Sequence, residues 1–412
     1  MPPRSGKSKG RPKRTRSGSA PSRNGGQLVR TGIALAAAGL LLSGAALATD
    51  PHRFSFAYLW GFTFFWTAVL GCLFFVVLQH LTRSIWSVVV RRVAEAFAAH
   101  AWWLALLLAP ILVFAWHSDS FHLFAWLDPA HARHDPVLQG KSLYLNPTFF
   151  TLRAVGFVLL WAVFAWFYAS RSLRQDHKRC DNDASLAMRR WSPAFMVVFA
   201  ITLTFASFDW LMSLNPHWFS TIFGVYVFAG MGVTALALVT IGSLHLRRIG
   251  RLDSARLRPD HLYPLGALLF GMSCFWAYIA FSQFMLMWYG NLPEETVFFS
   301  ARLRGGWQVV SIALPLLRFG LPFAVLIGRR AKTHPVTLAV VSGLVLLGEG
   351  LDLYWLIMPT LHASTPVLGW PEVGPMLFVV GLLLVLWTRF LQRHSPVAAG
   401  DPLWERSRQF HL

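Results

Sequence analysis

Two acidic residues within a long apolar segment carry the strongest chemical signal in the sequence. Glu349 and Asp352 lie in the run Gly-Glu-Gly-Leu-Asp-Leu-Tyr-Trp, and their three-residue spacing places them on one face of a helix. Glu349 precedes Pro359 by a helical distance of about 15 Å, near the middle of a bilayer. Two carboxylates one turn apart repel each other in a low dielectric, so the pair is expected to take up and release a proton. The alternative is a static ion pair with an arginine.

Arg318 is the expected partner, because it lies midway along the preceding apolar segment, in Leu-Pro-Leu-Leu-Arg-Phe-Gly-Leu-Pro-Phe. Adjacent antiparallel helices would bring it level with the acids, which predicts a buried contact with Glu349 or Asp352. Asp209 is a third candidate for a proton path, and it forms a second candidate pair with Arg153, either a counterpart of the first pair or a simple interface pair. Ionisable residues inside a membrane are costly and are treated as functional hypotheses.

Other polar residues give weaker signals. Tyr278, Ser282 and Gln283 form a polar stripe, for which hydrogen-bonded packing between helices is the expected role. The histidines of the apolar segments lie near segment ends, so paired axial haem ligands are not expected. The loop 117–146 holds four histidines and three aspartates without tight ligand spacing, so no metal site is predicted. Cys72, Cys180 and Cys274 form no CxxC motif, and Cys72 and Cys274 are expected to pack in helices.

The elements that must position these residues are membrane-spanning helices. The chain has 412 residues, of which 55% are hydrophobic and 13% are charged, and its mean hydropathy is +0.49. A soluble domain carries about a quarter charged residues. The net charge of +19 does not indicate nucleic-acid binding, because the basic residues lie between apolar runs. Ten helical spans are predicted, near residues 28–48, 56–80, 98–116, 147–170, 191–212, 217–246, 261–289, 306–328, 335–359 and 372–392.

Loop charges predict the orientation of these spans. Lysines and arginines concentrate in alternate loops and in both termini, which indicates that the N and C termini are both cytoplasmic. Residues 1–27 are predicted to be a disordered basic tail, 28–392 the membrane domain, and 393–412 a second cytoplasmic tail. The first span ends in Ala-Leu-Ala-Thr-Asp, so cleavage as a signal peptide is the alternative to its retention. Residues 81–97 have amphipathic spacing and are predicted to lie along the cytoplasmic interface.

Similar motifs in the two halves of the sequence predict an internal repeat. Phe-Phe-Thr-Leu-Arg (149–153) enters the fourth span, and Phe-Phe-Ser-Ala-Arg (298–302) precedes the eighth. Asp209 and Asp352 each precede a proline by the same interval, in the fifth and ninth spans. We therefore predict two parallel four-helix units, spans 2–5 (about 56–212) and 6–9 (about 217–359), flanked by spans 1 and 10. Shared interface chemistry, rich in phenylalanine, is the alternative.

Six motifs resemble the F subunit of bacterial alternative complex III, a member of the NrfD-like polysulfide-reductase membrane subunits. The resemblance covers spans 2–10 and rests on residues 134–153, 208–226, 281–295, 302–307, 321–332 and the Gly-Glu-Gly-Leu-Asp-Leu-Tyr-Trp run. It departs from the family at one point, because relatives often have histidine where this chain has Arg318. A permanently charged arginine cannot shuttle protons as histidine does, which weakens a proton role at that position.

The resemblance implies a non-haem membrane subunit of a respiratory quinol:electron-acceptor (cytochrome c) oxidoreductase in the bacterial inner membrane. It implies two four-helix bundles, no haem on this chain, and partner subunits that carry c-type haem and iron–sulfur clusters, with a terminal oxidase as a further partner. It implies electron transport in the whole complex and proton translocation through buried carboxylates. The quinol site of such complexes is usually assigned to the sister C subunit, so quinol is expected either on this chain or only on that subunit. Two alternatives are a secondary transporter and a purely structural scaffold of the complex.

Overall fold

The computed structural model describes residues 23–128, 134–177, 181–252 and 255–412. Cys180, His131 and most of the basic tail lie outside these ranges. Among the described residues, ten helices are long and apolar enough to cross a membrane, and the protein is an all-α, multi-pass membrane protein. The predicted spans are confirmed, at Gly26–Thr49, Pro51–Leu81, Val88–Trp116, Pro147–His177, Asn182–Leu214, Phe223–Arg248, Pro259–Gly290, Trp307–Leu326, Pro335–Thr360 and Trp370–Arg393.

Several helices begin where the sequence supplies a proline, whose missing N–H costs nothing in a first turn. Asp50 also caps one of them by accepting a hydrogen bond from the Arg53 N–H at 3.0 Å. The helices of the first half are α1 (Arg23–Thr49), α2 (Pro51–Leu81), α3 (Val88–Ala98), α4 (Trp103–Trp116), α5 (Ser118–Phe121), α6 (Pro136–Lys141), α7 (Pro147–His177) and α8 (Asn182–Trp210).

The second half contains one interrupted span, in which a π-helix (Leu316–Gly320) joins α12 to α13. Single 3₁₀ turns follow α8 and α15, and a third lies at Ala125–Leu127. The helices are α9 (Phe223–Arg248), α10 (Pro259–Gly290), α11 (Pro293–Arg302), α12 (Trp307–Pro315), α13 (Leu321–Leu326), α14 (Arg329–Thr333), α15 (Pro335–Ile357), α16 (Trp370–Arg393) and α17 (Trp404–Arg408).

The helix contacts follow the two predicted four-helix units. In the first unit α2, α4, α7 and α8 pack in a ring, and in the second α9, α10, α12–α13 and α15 do the same. The units meet where α9 packs on α2 and α8, and both α2 and α9 are largely buried. Helix α1 packs along α16, which in turn packs on α2. Outward faces carry exposed apolar side chains such as Leu159, Trp166 and Leu286, as expected for surfaces that contact lipid.

The prediction that residues 81–97 lie along the membrane interface is wrong. Helix α3 is buried along its whole length and packs against α2, α7, α9 and α16. Its charged residues are paired rather than solvated, because Arg91 and Arg92 both contact Glu95, at 3.1 and 3.3 Å. Arg92 also binds Asp176 at 2.9 Å. The prediction of an amphipathic helix was correct, but the polar face of this helix packs against protein instead of facing water.

The C-terminal segment folds against this network. Arg91 forms an ion pair with Asp401 at 2.5 Å, and the buried His261 ring nitrogen Nε2 lies 2.8 Å from the Ser407 carbonyl oxygen. Val397 and Ala398 are buried. Residues 393–412 are therefore an ordered cap on the face that carries the basic segments.

Candidate functional site

The buried charge centre of the second unit is organised by the π-helix. Pro322 has no N–H to donate to the Arg318 carbonyl one turn earlier, and the helix widens over Leu316–Gly320. The widened turn directs Arg318 toward α15, where Glu349 and Asp352 share a face. Asp352 lies about 12 Å before the end of this span, so the cluster lies between the middle of the bilayer and the less basic face.

Arg318 contacts both acids, where the sequence predicted at least one contact. Its Nη2 donates to Glu349 Oε2 at 2.6 Å, and its Nη1 donates to Asp352 Oδ2. The three side chains are between 1% and 4% exposed, so the group is removed from both water and lipid. An arginine fork is suited to this role, because its planar donors can serve two carboxylates at once.

Two aromatic residues that the sequence did not single out complete the cluster. The Tyr226 hydroxyl on α9 donates to Asp352 Oδ1, and Trp276 Nε1 on α10 donates to Asp352 Oδ2 at 3.2 Å. The Arg318 guanidinium carbon lies 4.4 Å from the centre of the Trp276 ring. No sequence spacing links these residues, because they come from three different helices and meet only in the folded unit.

Two glycines make room for the arginine. A Cβ at Gly348 would lie 2.6 Å from Arg318 Cγ, and a Cβ at Gly230 would lie 3.1 Å from Glu349 Oε2. Gly230 and Gly348 flank the guanidinium from α9 and α15. The cluster therefore depends on close approach of helix backbones as well as on its charged groups.

The charges of the cluster do not balance if both acids are ionised. One guanidinium then faces two carboxylates, which leaves one negative charge within a buried region. Such a charge is costly, and binding of one proton by the pair removes it. Because the two carboxylates share one cation, a proton on either belongs to the pair as a whole. The arrangement can therefore hold one exchangeable proton.

The second predicted pair forms, but its setting is different. Arg153 binds Asp209 through two parallel hydrogen bonds, from Nε at 2.8 Å and from Nη2 at 2.9 Å. Asp209 lies in the last turn of α8, and Arg153 also donates to the Tyr144 carbonyl at 2.9 Å. One cation meets one carboxylate, so this pair is balanced at the end of the helices. It joins α7 to α8 without an excess charge.

Arg302 is a buried cation that the sequence had placed in an exterior loop. It donates to the carbonyl oxygens of Trp355 at 3.0 Å and Leu356 at 2.9 Å, near the end of α15. Burial lowers the pKa of its guanidinium to about 9, so it stays protonated at neutral pH. Within the described ranges, no carboxylate lies within ion-pair distance of Arg302. The neighbouring motif residue Trp307 donates to the His362 carbonyl at 2.7 Å.

Among the described residues, the polar stripe of α10 does not form the predicted hydrogen bonds between helices. Tyr278 is 66% exposed, and the buried Gln283 side-chain oxygen Oε1 has no hydrogen-bond partner in the described part of the chain. Ser282 is half-buried. Tyr278 and Gln283 instead line an apolar cleft of about 780 Å³ between α10 and the interrupted span. Tyr226 and Trp276, which bind Asp352, also line this cleft.

Comparisons with known proteins identify no family, because no protein-family model and no curated protein matches the chain. Within the described part of the chain, no group of three or more His, Cys, Asp or Glu side chains is arranged to hold a metal ion.

Proposed function

We propose that the protein is a non-haem membrane subunit of a quinol-oxidising respiratory complex of the alternative complex III type, in a bacterial inner membrane. The motif resemblance supports this, and two of its motifs supply Tyr226, Glu349 and Asp352 to the buried cluster. In the complex, partner subunits would carry c-type haem and iron–sulfur clusters and pass electrons to cytochrome c or to a terminal oxidase.

Within that complex, we propose that the Glu349–Asp352 pair holds an exchangeable proton on a translocation path. The observation that carries this proposal is the sharing of one arginine between two buried carboxylates. Arg318 would fix the geometry, since it stays charged and cannot itself be the carrier. A lipid-soluble quinol could approach the cluster through the apolar cleft that Tyr226 and Gln283 line.

Membership in the complex is tested by gentle detergent purification from native membranes, followed by haem spectra and identification of the accompanying polypeptides. Co-purifying c-type haem and iron–sulfur subunits are expected. A protein that purifies alone, without haem, and transports a solute in vesicles would instead be a secondary transporter.

The proton role is tested with Glu349→Gln and Asp352→Asn in the purified complex. Both substitutions keep the side-chain shape and remove a titratable group, so proton release per quinol oxidised is expected to fall. Glu349→Gln is the cleaner variant, because Asp352 also accepts hydrogen bonds from Tyr226 and Trp276. Asp209→Asn tests the third candidate carboxylate, and Glu405→Gln, which removes an exposed carboxylate, is the control. Unchanged quinol oxidation and proton release in all three test variants would indicate a structural scaffold.

A further inference from the structure

A long apolar groove separates α15 from α16, on the side of the molecule away from the cleft beside Gln283. It encloses about 830 Å³, and α2 and α9 form its floor. It runs from Tyr354 and Leu368 near one end of the spans to His245 and Trp387 near the other. Its volume falls in the range of roughly 300–1,000 Å³ that is usual for ligand sites. The groove thus suits an elongated, largely apolar occupant.

The two ends of the groove differ in their free polar groups. At the end near Tyr354 the polar atoms are satisfied, since the Tyr354 hydroxyl donates to the Val367 carbonyl at 2.6 Å. Trp60 Nε1 likewise donates to the Gly350 carbonyl at 2.7 Å. At the opposite end, His245 of α9 lines the groove with a half-buried ring. This end therefore offers an occupant a polar side chain, which the other end does not.

The end of the groove near Trp387 is also positively charged. The His245 ring lies 6.0 Å from the Trp387 ring, and Arg247 and Arg248 follow in the last turn of α9. Arg248 is exposed and close enough to His245 to interact with it electrostatically. A phosphate at the bilayer surface is attracted to such a group of basic residues. The groove therefore has an apolar body and one end that suits an acceptor-rich, anionic head.

Two glycines on α15 keep the groove wide. Gly343 and Gly350 line it, and a Cβ at either position would meet no other atom within 4 Å. Leu347, between them, is 70% exposed. The open space above α15 is therefore not filled by protein side chains.

We propose that this groove binds a glycerophospholipid from the leaflet on the basic side of the protein. The phosphate lies beside His245 and Arg248, and the acyl chains extend along Gly343 and Gly350. The bound lipid fills the space between the second unit and the flanking helices α1 and α16. This site is independent of the proton role assigned to Glu349 and Asp352.

The test uses the full-length protein, with any subunits that accompany it, in vesicles containing phosphatidylglycerol with a photoreactive group on one acyl chain. Cross-linked peptides are identified by mass spectrometry. The wild-type protein is expected to be labelled at groove residues of α15 and α16. The double variant Gly343→Leu/Gly350→Leu fills the groove and is expected to lose that labelling. Gly271→Leu, at an exposed position of α10 with equally open space, is the matched control and retains it.

A second variant measures the polar contact. Arg248→Gln removes the exposed charge beside the phosphate, so half-saturation is expected to require about fivefold more lipid, the effect of one basic residue near an anionic head group. Equal groove labelling in the wild type and the filled variant would overturn the proposal. A photo-crosslinking residue introduced at the exposed Leu347 position gives a readout that does not depend on the glycine variants. A phospholipid adduct supports the site, and a polypeptide adduct assigns the groove to a partner helix and overturns it.

Discussion

Arg153 and Arg302 occupy matching positions in the two four-helix units, and each guanidinium lies over the phenylalanine four residues before it. The guanidinium carbon is 4.2 Å from the Phe149 ring centre in one unit and 3.5 Å from the Phe298 ring centre in the other. Arg153 then binds the carboxylate of Asp209, whereas Arg302 binds backbone carbonyls of α15. In the second unit the carboxylate that corresponds to Asp209, Asp352, is bound by Arg318 instead. The two units thus share the contact between arginine and phenylalanine but differ in the arginine that binds the carboxylate.

The cluster should be sensitive to a single added methyl group. We expect Gly348→Ala to destabilise the protein by roughly 1–3 kcal/mol, because the new Cβ would lie 2.6 Å from Arg318 Cγ. Unfolding of the purified protein in detergent measures the change. Gly350→Ala, two residues further along the same helix, meets open space and should be neutral or slightly stabilising. Equal effects of the two substitutions would contradict the packing described for Arg318.

The Arg153–Asp209 pair should couple strongly in a double-mutant cycle. Removing either partner alone leaves a buried charge and is expected to cost roughly 3–5 kcal/mol of unfolding free energy. The double variant Arg153→Met/Asp209→Leu should cost much less than the sum of the single variants. The exposed Arg408–Glu405 pair is the control, with an expected coupling of about 0.3–0.5 kcal/mol or less. Additive single effects at Arg153 and Asp209 would show that the pair is not an energetic unit.

Arg302 should not tolerate replacement by lysine. The guanidinium donates to three carbonyl oxygens, those of Phe298, Trp355 and Leu356, and a lysine cannot reproduce that fork. We expect Arg302→Lys to lower the unfolding free energy by about 1.5–3 kcal/mol, the contribution of a hydrogen bond to a charged group. Arg304→Lys is the control on the same loop, because Arg304 is exposed. A measured cost for Arg302→Lys no larger than that of the control would argue against this anchoring role.

The C-terminal cap should open when its buried ion pair is removed. Asp401→Asn leaves Arg91 with only Glu95, and a loss of about 3 kcal/mol would raise the opening equilibrium roughly a hundredfold. Limited proteolysis after the basic residues of 393–408 reports that opening. Glu405→Gln removes an exposed carboxylate from the same segment and should leave the cleavage rate unchanged. Resistance of Asp401→Asn to proteolysis would mean that other contacts hold the cap.

The sequence by itself determined the membrane fold, because the hydrocarbon core of a bilayer imposes two simple requirements on any segment that crosses it. A span must be long and apolar, and its backbone must be satisfied internally, so hydropathy alone located all ten spans. Two of them, which begin at Val88 and Asn182, start about ten residues earlier than predicted. Loop charges predict the orientation, and the spacing of Glu349, Asp352 and Arg318 predicted their contact, since helical period and depth are both readable from residue numbers.

Only the tertiary structure decided which residues surround those charges and which polar faces meet protein. Tyr226 and Trp276 join Asp352 from other helices, and the polar face of α3 meets Asp176 and Asp401 rather than water. Amphipathic spacing specifies a polar face but not its neighbour, because buried ion pairs and solvated charges leave the same pattern in a sequence. The apolar cleft and the apolar groove could not be predicted from the sequence either. A space between helices depends on how the helices pack and not on the sequence of any one of them.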